Sequence, residues 1–276
     1  MNRPEFRHEA MATTFALVIA DQPAEYARQA AGAAWRELDR LETELSRYVE
    51  SSDIARCNRL GRGETLTIGE STLECLLLAS GIAAATRRAF DIAYDSRDVP
   101  EDGIPFTVDP ENHTLTSRVG QLHLDLGAVG KGYALDRMAA LLREWQIDSA
   151  CLQSGGSTAL AFGTAPPTDG WPVGIGTGEF HRILSLRDAA LSGSGLAVKG
   201  AHLIDPRTGG PAVRTDRVWS LAPEAAVADA LSTAFFVLSD REIAGFCTAH
   251  PEAGAAITND DGSLQVHGAL VPLLKD

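Results

Sequence analysis

Residues 123–136 read HLDLGAVGKGYALD and run on, through an apolar-periodic segment, to ACLQSGG at 150–156. Leu122, Leu124 and Leu126 alternate with Gln121, His123 and Asp125, the period of a strand with one buried face. Gly127, Gly130 and Gly132 then allow a tight backbone path. Leu135, Met138, Leu142 and Trp145 share one helical face, with Ala134 and Leu141 beside it. The spacing predicts strand, glycine loop, helix, strand and a closing glycine pair, Gly155–Gly156.

Lys131 falls at or just before the helix start, where free N–H groups favour an anion and the macrodipole disfavours a cation. A lysine there is either solvated or reaches toward a phosphate-bearing ligand. It is not the lysine of a Walker A loop. Two residues, not four, separate Gly127 from Gly130, and a glycine rather than Ser or Thr follows the lysine. Nor does a G-x-G-x-x-G fingerprint open the helix.

Composition narrows the partners. A chain of 276 residues, 45% apolar, can bury one large core or two modest ones. A net charge of −13 argues against a general nucleic-acid or anionic-membrane surface. An anionic ligand must therefore be held locally, by a metal ion, a helix N-terminus or a few cations. Cys57, Cys75, Cys151 and Cys247 form no C-x-x-C pair, so reduced thiols are expected. The first residues lack an apolar h-region and no membrane-spanning run is visible, so a cytoplasmic location is expected if Met1 is the true start.

Outward from the opening segment, the pattern mixes helices and strands with no clear linker. Residues 14–20 read as a strand and 25–46 as an amphipathic helix with Ala27, Ala31, Ala34, Leu38, Leu41 and Leu45 on its apolar face. Ser51-Ser52-Asp53 can cap a short helix running through Asn58. Ser71 and Glu74 have capping-box spacing before a helix to about Arg88. Residues 106–108 and 114–116 flank a hairpin turn. Strands are expected at 159–162, 171–175, 181–186 and 218–221. Residues 189–191 lead into SGSG at 192–195, which either lets backbone approach a ligand closely or is an ordinary turn, and 202–204 precede a tight turn, DPRTGGP, at 205–211. Helices follow at 226–238 and 242–249, then a last hairpin around 259–262.

Two further groups carry chemistry. Asp229 and Thr233 lie at i and i+4 on one helical face, both with oxygen ligands that suit Mg²⁺. Taken alone, a polar stripe near a helix start is the plainer reading. His202 and Asp205 flank the start of a tight turn. His202 is an acid–base candidate because its charge changes near neutral pH, while a turn aspartate usually caps its own backbone.

In this order the segments resemble the ApbE family of FAD:protein FMN transferases. The matching pieces are residues 11–13, 45–48 with Asn58, 89–91, 125–136, 155–156, 194–195, 202–209 and 229–233, nearly the whole length of the chain. The resemblance implies one α+β domain over residues 1–276, of two related halves enclosing a flavin site. It implies FAD contacts at Met11, Tyr48, Ala89, Phe90, Asp91, Asp125 and Lys131. Mg²⁺ would be held by Asp229, Thr233 and the main-chain carbonyl of Ala128. The implied reaction passes the FMN phosphoryl group of FAD to a Ser or Thr hydroxyl of an acceptor protein and releases AMP. His202 is the expected base or orienter, with Asp205 as its rival. The alternatives are a non-catalytic FAD-binding protein and an FAD pyrophosphatase. Ala12 stands where the family has glycine, and Ser157 where Asp or Asn is common.

Overall fold

Alternation along β2 (Thr13–Ile19) puts Phe15, Leu17 and Ile19 wholly inside, and it begins a sheet that runs through the whole molecule. The computed structural model describes residues 3–195, 204–212, 214, 217–259 and 261–274. Its main sheet has eight strands in the order β1 (Glu5–Ala10), β2, β6 (Ala150–Ser154), β7 (Thr158–Phe162), β10 (Ala189–Ser194), β11 (Val218–Ala222), β12 (Gly254–Thr258) and β13 (Leu264–Gly268). Every neighbouring pair is antiparallel.

One face of this sheet carries the helices. Leu152, Leu160, Phe162, Val218 and Ile257 join the core formed with α1 (Ala24–Leu45), α3 (Glu70–Ala85), α4 (Gly130–Glu144), α5 (Ala225–Val237) and α6 (Asp240–Ala249). The short α2 (Asp53–Cys57) is capped by the Ser52 hydroxyl, which accepts from Ala55 N at 3.0 Å. On the opposite face, Cys151, Ala161, Leu191, Trp219 and Leu221 pack under the hairpin of β8 (Trp171–Ile175) and β9 (Arg182–Leu186). With both faces covered, every residue of β7 and β11 is buried, Thr158 and Ser220 included. A separate three-stranded sheet, ordered β3 (Thr65–Thr67), β5 (Thr114–Ser117), β4 (Phe106–Asp109), contains the expected hairpin. The result is the mixed α+β architecture read from the pattern. Among the described residues, no helix is long and apolar enough to cross a membrane.

Three local expectations are corrected. Residues 122–126 are extended, with the three leucines buried as alternation requires, yet they join no sheet. Side chains and loops pair their backbone instead: the Asn58 amide donates to Leu124 O at 3.0 Å and accepts from Leu124 N at 2.6 Å, and His123 N donates to Ser96 Oγ at 3.0 Å. The Ser71–Glu74 capping box does not form, because α3 starts two residues earlier, behind Gly69. Ser71 accepts from Arg40 Nη2 at 3.1 Å, and Glu74 accepts from the Tyr133 hydroxyl at 2.5 Å. Tertiary partners outside the local window took both side chains. Finally, Ser192–Gly193–Ser194 continues β10 instead of turning. The strand β1 also had no forecast, because its EFRHEA sequence is charged rather than apolar. It is held as a hairpin arm on β2.

All four cysteines are free thiols and buried. Burial pushes Cys57 and Cys75 up to about 12, and Cys151 and Cys247 up to about 11.

Candidate active site

The helix starts of α4 and α5 meet backbone to backbone. A Cβ on Gly132 would lie 2.3 Å from the Ala225 carbonyl oxygen, so only glycine allows this approach. Asp136, one turn further along α4, accepts from Ala225 N at 2.7 Å and Ala226 N at 2.8 Å, and so caps α5 from another element. Burial pushes the Asp136 carboxyl up to about 6, with the two backbone N–H groups opposing that rise.

This junction brings Lys131 and Asp229 together. Lys131 Nζ donates to Gly127 O at 2.5 Å and stands 3.9 Å from Asp229 Oδ2. Asp229 is 1% exposed, not a helix-surface carboxylate as its i, i+4 pattern suggested. Its Oδ2 accepts from Gly132 N at 3.3 Å, and its Oδ1 accepts from Thr158 and Ser192, both at 3.5 Å.

Beside Lys131 opens a cleft of about 430 Å³ lined by Met11, Ala12, Glu42, Leu45, Ser46, Arg47, Tyr48, Val49, Asp125, Leu126, Gly127, Gly130 and Lys131. Four of the expected FAD residues, Met11, Tyr48, Asp125 and Lys131, therefore share one wall. Met11 and Ala12 form the two-residue turn between β1 and β2, with φ of 49° and 57°. A left-handed pair is what such a hairpin demands, and it explains why glycine suits position 12. Glu42 fixes the turn by accepting from Met11 N at 2.8 Å. Gly155 comes up beneath, its N–H on Thr14 O at 2.8 Å, where a Cβ would meet Thr13 Oγ1 at 2.7 Å.

The other expected residues lie elsewhere. Ala89 and Phe90 are buried in the core, 1% and 2% exposed, and do not line the cleft. Asp91 pairs with Arg88 and accepts from Ala93 N at 2.8 Å. Just beyond it, Ile92 ties this segment to the cleft, its carbonyl accepting from Asp125 N at 2.8 Å. Ala128 sits half-buried in the glycine loop, and Thr233 is half-buried one turn after Asp229. Asp205 is engaged by Arg207 through N at 2.9 Å, Nε at 3.0 Å and Nη2 at 3.0 Å, and this pairing holds its carboxyl below the usual range. His202 lies outside the described residues.

Two features had no forecast as site components. Arg47 is the hub of the cleft mouth. It donates to the Tyr48 hydroxyl at 2.7 Å, contacts His123 Nε2 at 3.3 Å and pairs with Asp125 Oδ2 at 3.4 Å. Its place between two matching residues was the available signal. The second is a row of hydroxyls. Ser154, Thr158, Ser192 and Ser220 are successive cross-strand partners on β6, β7, β10 and β11, and all are buried.

A sequence profile of the ApbE family matches residues 11–98 and 102–257. The chain belongs to the ApbE family. Curated relatives named FAD:protein FMN transferase include one from Treponema pallidum, 32% identical over 180 residues, which are 58% of this chain and 50% of that protein. Another, from Haemophilus influenzae, is 29% identical over 242 residues, 72% of this chain and 70% of that protein. The alignment thus spans only about half the length of the Treponema relative. Among solved structures, the flavin transferase ApbE from Vibrio cholerae superposes with a TM-score of 0.85 at 20% identity, over 99% of this chain and 100% of that one. The apo flavinyl transferase ApbE from Pseudomonas stutzeri gives 0.83 at 22%, over 99% and 96%. At these identities the likeness concerns the fold: this ApbE-family chain has the family's architecture.

Proposed function

We propose that this protein is an FAD:protein FMN transferase that uses Mg²⁺ and modifies a Ser or Thr hydroxyl of an acceptor protein. The observation that carries the reading is the meeting of Lys131 and buried Asp229 at the start of α4, beside the cleft lined by Met11, Tyr48 and Asp125.

The donor set suits Mg²⁺. Asp229 is a buried carboxylate: among the described residues its Oδ1 faces the Thr158 and Ser192 hydroxyls at 3.5 Å, and its Oδ2 has Gly132 N at 3.3 Å, which leaves that oxygen open to a cation. Among the described residues there is no group of three or more His, Cys, Asp or Glu side chains placed to hold a metal. One carboxylate with neutral oxygens is how Mg²⁺ is commonly held when substrate phosphates complete its shell. Asp229, Thr233 and the Ala128 carbonyl would hold it, and when bound it would neutralise charge on the pyrophosphate oxygens.

The chain's own groups do the rest. Lys131 binds a pyrophosphate oxygen; its present acceptor, the Gly127 carbonyl, shows that the ammonium reaches back over the glycine loop. Arg47 keeps Tyr48 and Asp125 at the mouth, where the flavin enters. The acceptor hydroxyl attacks the FMN-side phosphorus, the bond to the AMP-side bridging oxygen breaks, and AMP leaves. The hydroxyl proton must go to a base. Asp205, already committed to Arg207 and acidic, is poorly suited, which favours His202.

The test is incubation with FAD, Mg²⁺ and candidate acceptor proteins, with AMP read by chromatography and the acceptor by mass spectrometry. Stoichiometric AMP and FMN-modified acceptor are expected. AMP without modified acceptor would make it a pyrophosphatase, and no AMP with any acceptor would leave a flavin-binding protein.

A further inference from the structure

On the helix-facing side of the main sheet, four neighbouring strands each present a buried hydroxyl along one line. In register these are Ser154, Thr158, Ser192 and Ser220. Buried hydroxyls are costly without partners, so a row of them beneath one helix calls for a reason. Two point at the same atom. Thr158 Oγ1 and Ser192 Oγ lie 2.9 Å from each other, and each lies 3.5 Å from Asp229 Oδ1. Ser192 is held from behind by Ser232 at 3.3 Å, and Ser232 by Ser194 at 2.9 Å. On the other side of the carboxylate, Oδ2 faces Gly132 N and Lys131 Nζ, at the glycine loop.

We propose that Thr158 and Ser192 are positioning residues: they pin Asp229 Oδ1 from the sheet so that Oδ2 is presented to a divalent cation at the glycine loop. The role rests on the metal reading of Asp229 given above. Asp229 turns freely about its last side-chain bond unless one oxygen is fixed, because that rotation is broad and roughly two-fold. Each hydroxyl carries one proton, so one of the pair donates to the other at 2.9 Å and the second donates to Oδ1; this linked pair, on rigid central strands, removes the freedom. Outer-shell partners of this kind commonly contribute 10–100-fold to metal affinity. Ser220 belongs to the same row but donates to Ala228 O at 2.5 Å, so it supports the helix backbone and not the carboxylate.

The experiment titrates Mn²⁺ into wild type, Thr158→Val, Ser192→Ala, the double variant, Thr158→Ser and Ser220→Ala, first without flavin and then with saturating FAD. Bound Mn²⁺ is read by electron paramagnetic resonance and melting temperature in parallel. The double variant is expected to bind roughly 10–100-fold more weakly. Thr158→Ser should recover near-wild-type affinity, and Ser220→Ala should leave it unchanged. Wild-type affinity in the double variant overturns the positioning role alone. Equal weakening by Ser220→Ala, or loss tracking melting temperature with no recovery in Thr158→Ser, also overturns it by reducing the row to scaffold. A wild type that takes up no Mn²⁺ under either condition overturns the metal reading and this role with it.

Discussion

Gly132→Ala sets two opposing effects against each other. Within a helix, alanine is favoured over glycine by about 1 kcal/mol, so local propensity alone predicts a more stable protein. The packing predicts the reverse. The new Cβ would stand 2.3 Å from Ala225 O, 2.6 Å from its carbonyl carbon and 2.7 Å from Ala226 Cα, all backbone atoms with no side chain to swing away. Restoring ordinary contact requires the starts of α4 and α5 to part by about 1 Å. The Asp136 bonds to Ala225 N and Ala226 N, now 2.7 and 2.8 Å, would then stretch past the hydrogen-bonding range. Overpacking costs about 1–3 kcal/mol and each bond to a charged group about 1.5–3 kcal/mol. Allowing for partial relaxation and the propensity gain, we expect a net loss of about 3–5 kcal/mol. Urea denaturation at pH 8 measures it, with FAD titration alongside, because Lys131 and Asp229 separate with the helices. A variant as stable as wild type would show that the two helix starts are not locked together at this point.

Lys131→Met should weaken FAD binding on the order of tenfold while leaving riboflavin binding unchanged, since only FAD carries the pyrophosphate; equal losses for both flavins in fluorescence titrations would count against the phosphate role. Asp136 gives a pH dependence. Its folded value of about 6 lies above the ordinary 3.8, so the fold favours the neutral carboxyl. That stabilisation is full below pH 3.8 and is lost as pH rises through about 6. Wild type should therefore lose up to about 3 kcal/mol relative to Asp136→Asn between pH 4 and pH 7.5; a flat difference across that range would mean the two N–H groups keep it ionised throughout. His202→Ala should retain FAD affinity and lose transfer on the order of a hundredfold, and undiminished AMP release with acceptor present would remove His202 from the mechanism.

How far the sequence could be read depended on the range of the interactions. Helix α1, the hairpin of β4 and β5, and the paired strands β8 and β9 follow from periodicity and turn residues that lie within a few positions of one another. The segment at 122–126 shows the limit. Its leucines are buried as alternation requires, but alternation cannot say whether the partner is a strand or, as here, the amide of Asn58. The Ser71–Glu74 pattern failed for the same reason: Arg40 and Tyr133 are distant in sequence and took the side chains. At the site, Lys131 and Asp229 stood out singly, yet nothing local placed them 3.9 Å apart. The hydroxyl row was illegible because its members are single serines and one threonine in four strands, aligned only by register. SGSG at 192–195 reads equally as a close approach of backbone to a ligand or as a turn, and not as strand.

The four buried thiols give the chain a built-in set of clocks. Cys57 belongs to α2, Cys75 to α3, Cys247 to α6, and Cys151 to the sheet face under the β8–β9 hairpin. Because burial suppresses the thiolate at each, a thiol reagent reacts only when the surrounding layer opens. Labelling rates compared across the four positions would show the order in which the layers come apart, with no probe introduced. If the hairpin lifts before the helices loosen, Cys151 tags first while the other three stay silent, and the helix-side layer outlasts the face that covers its back.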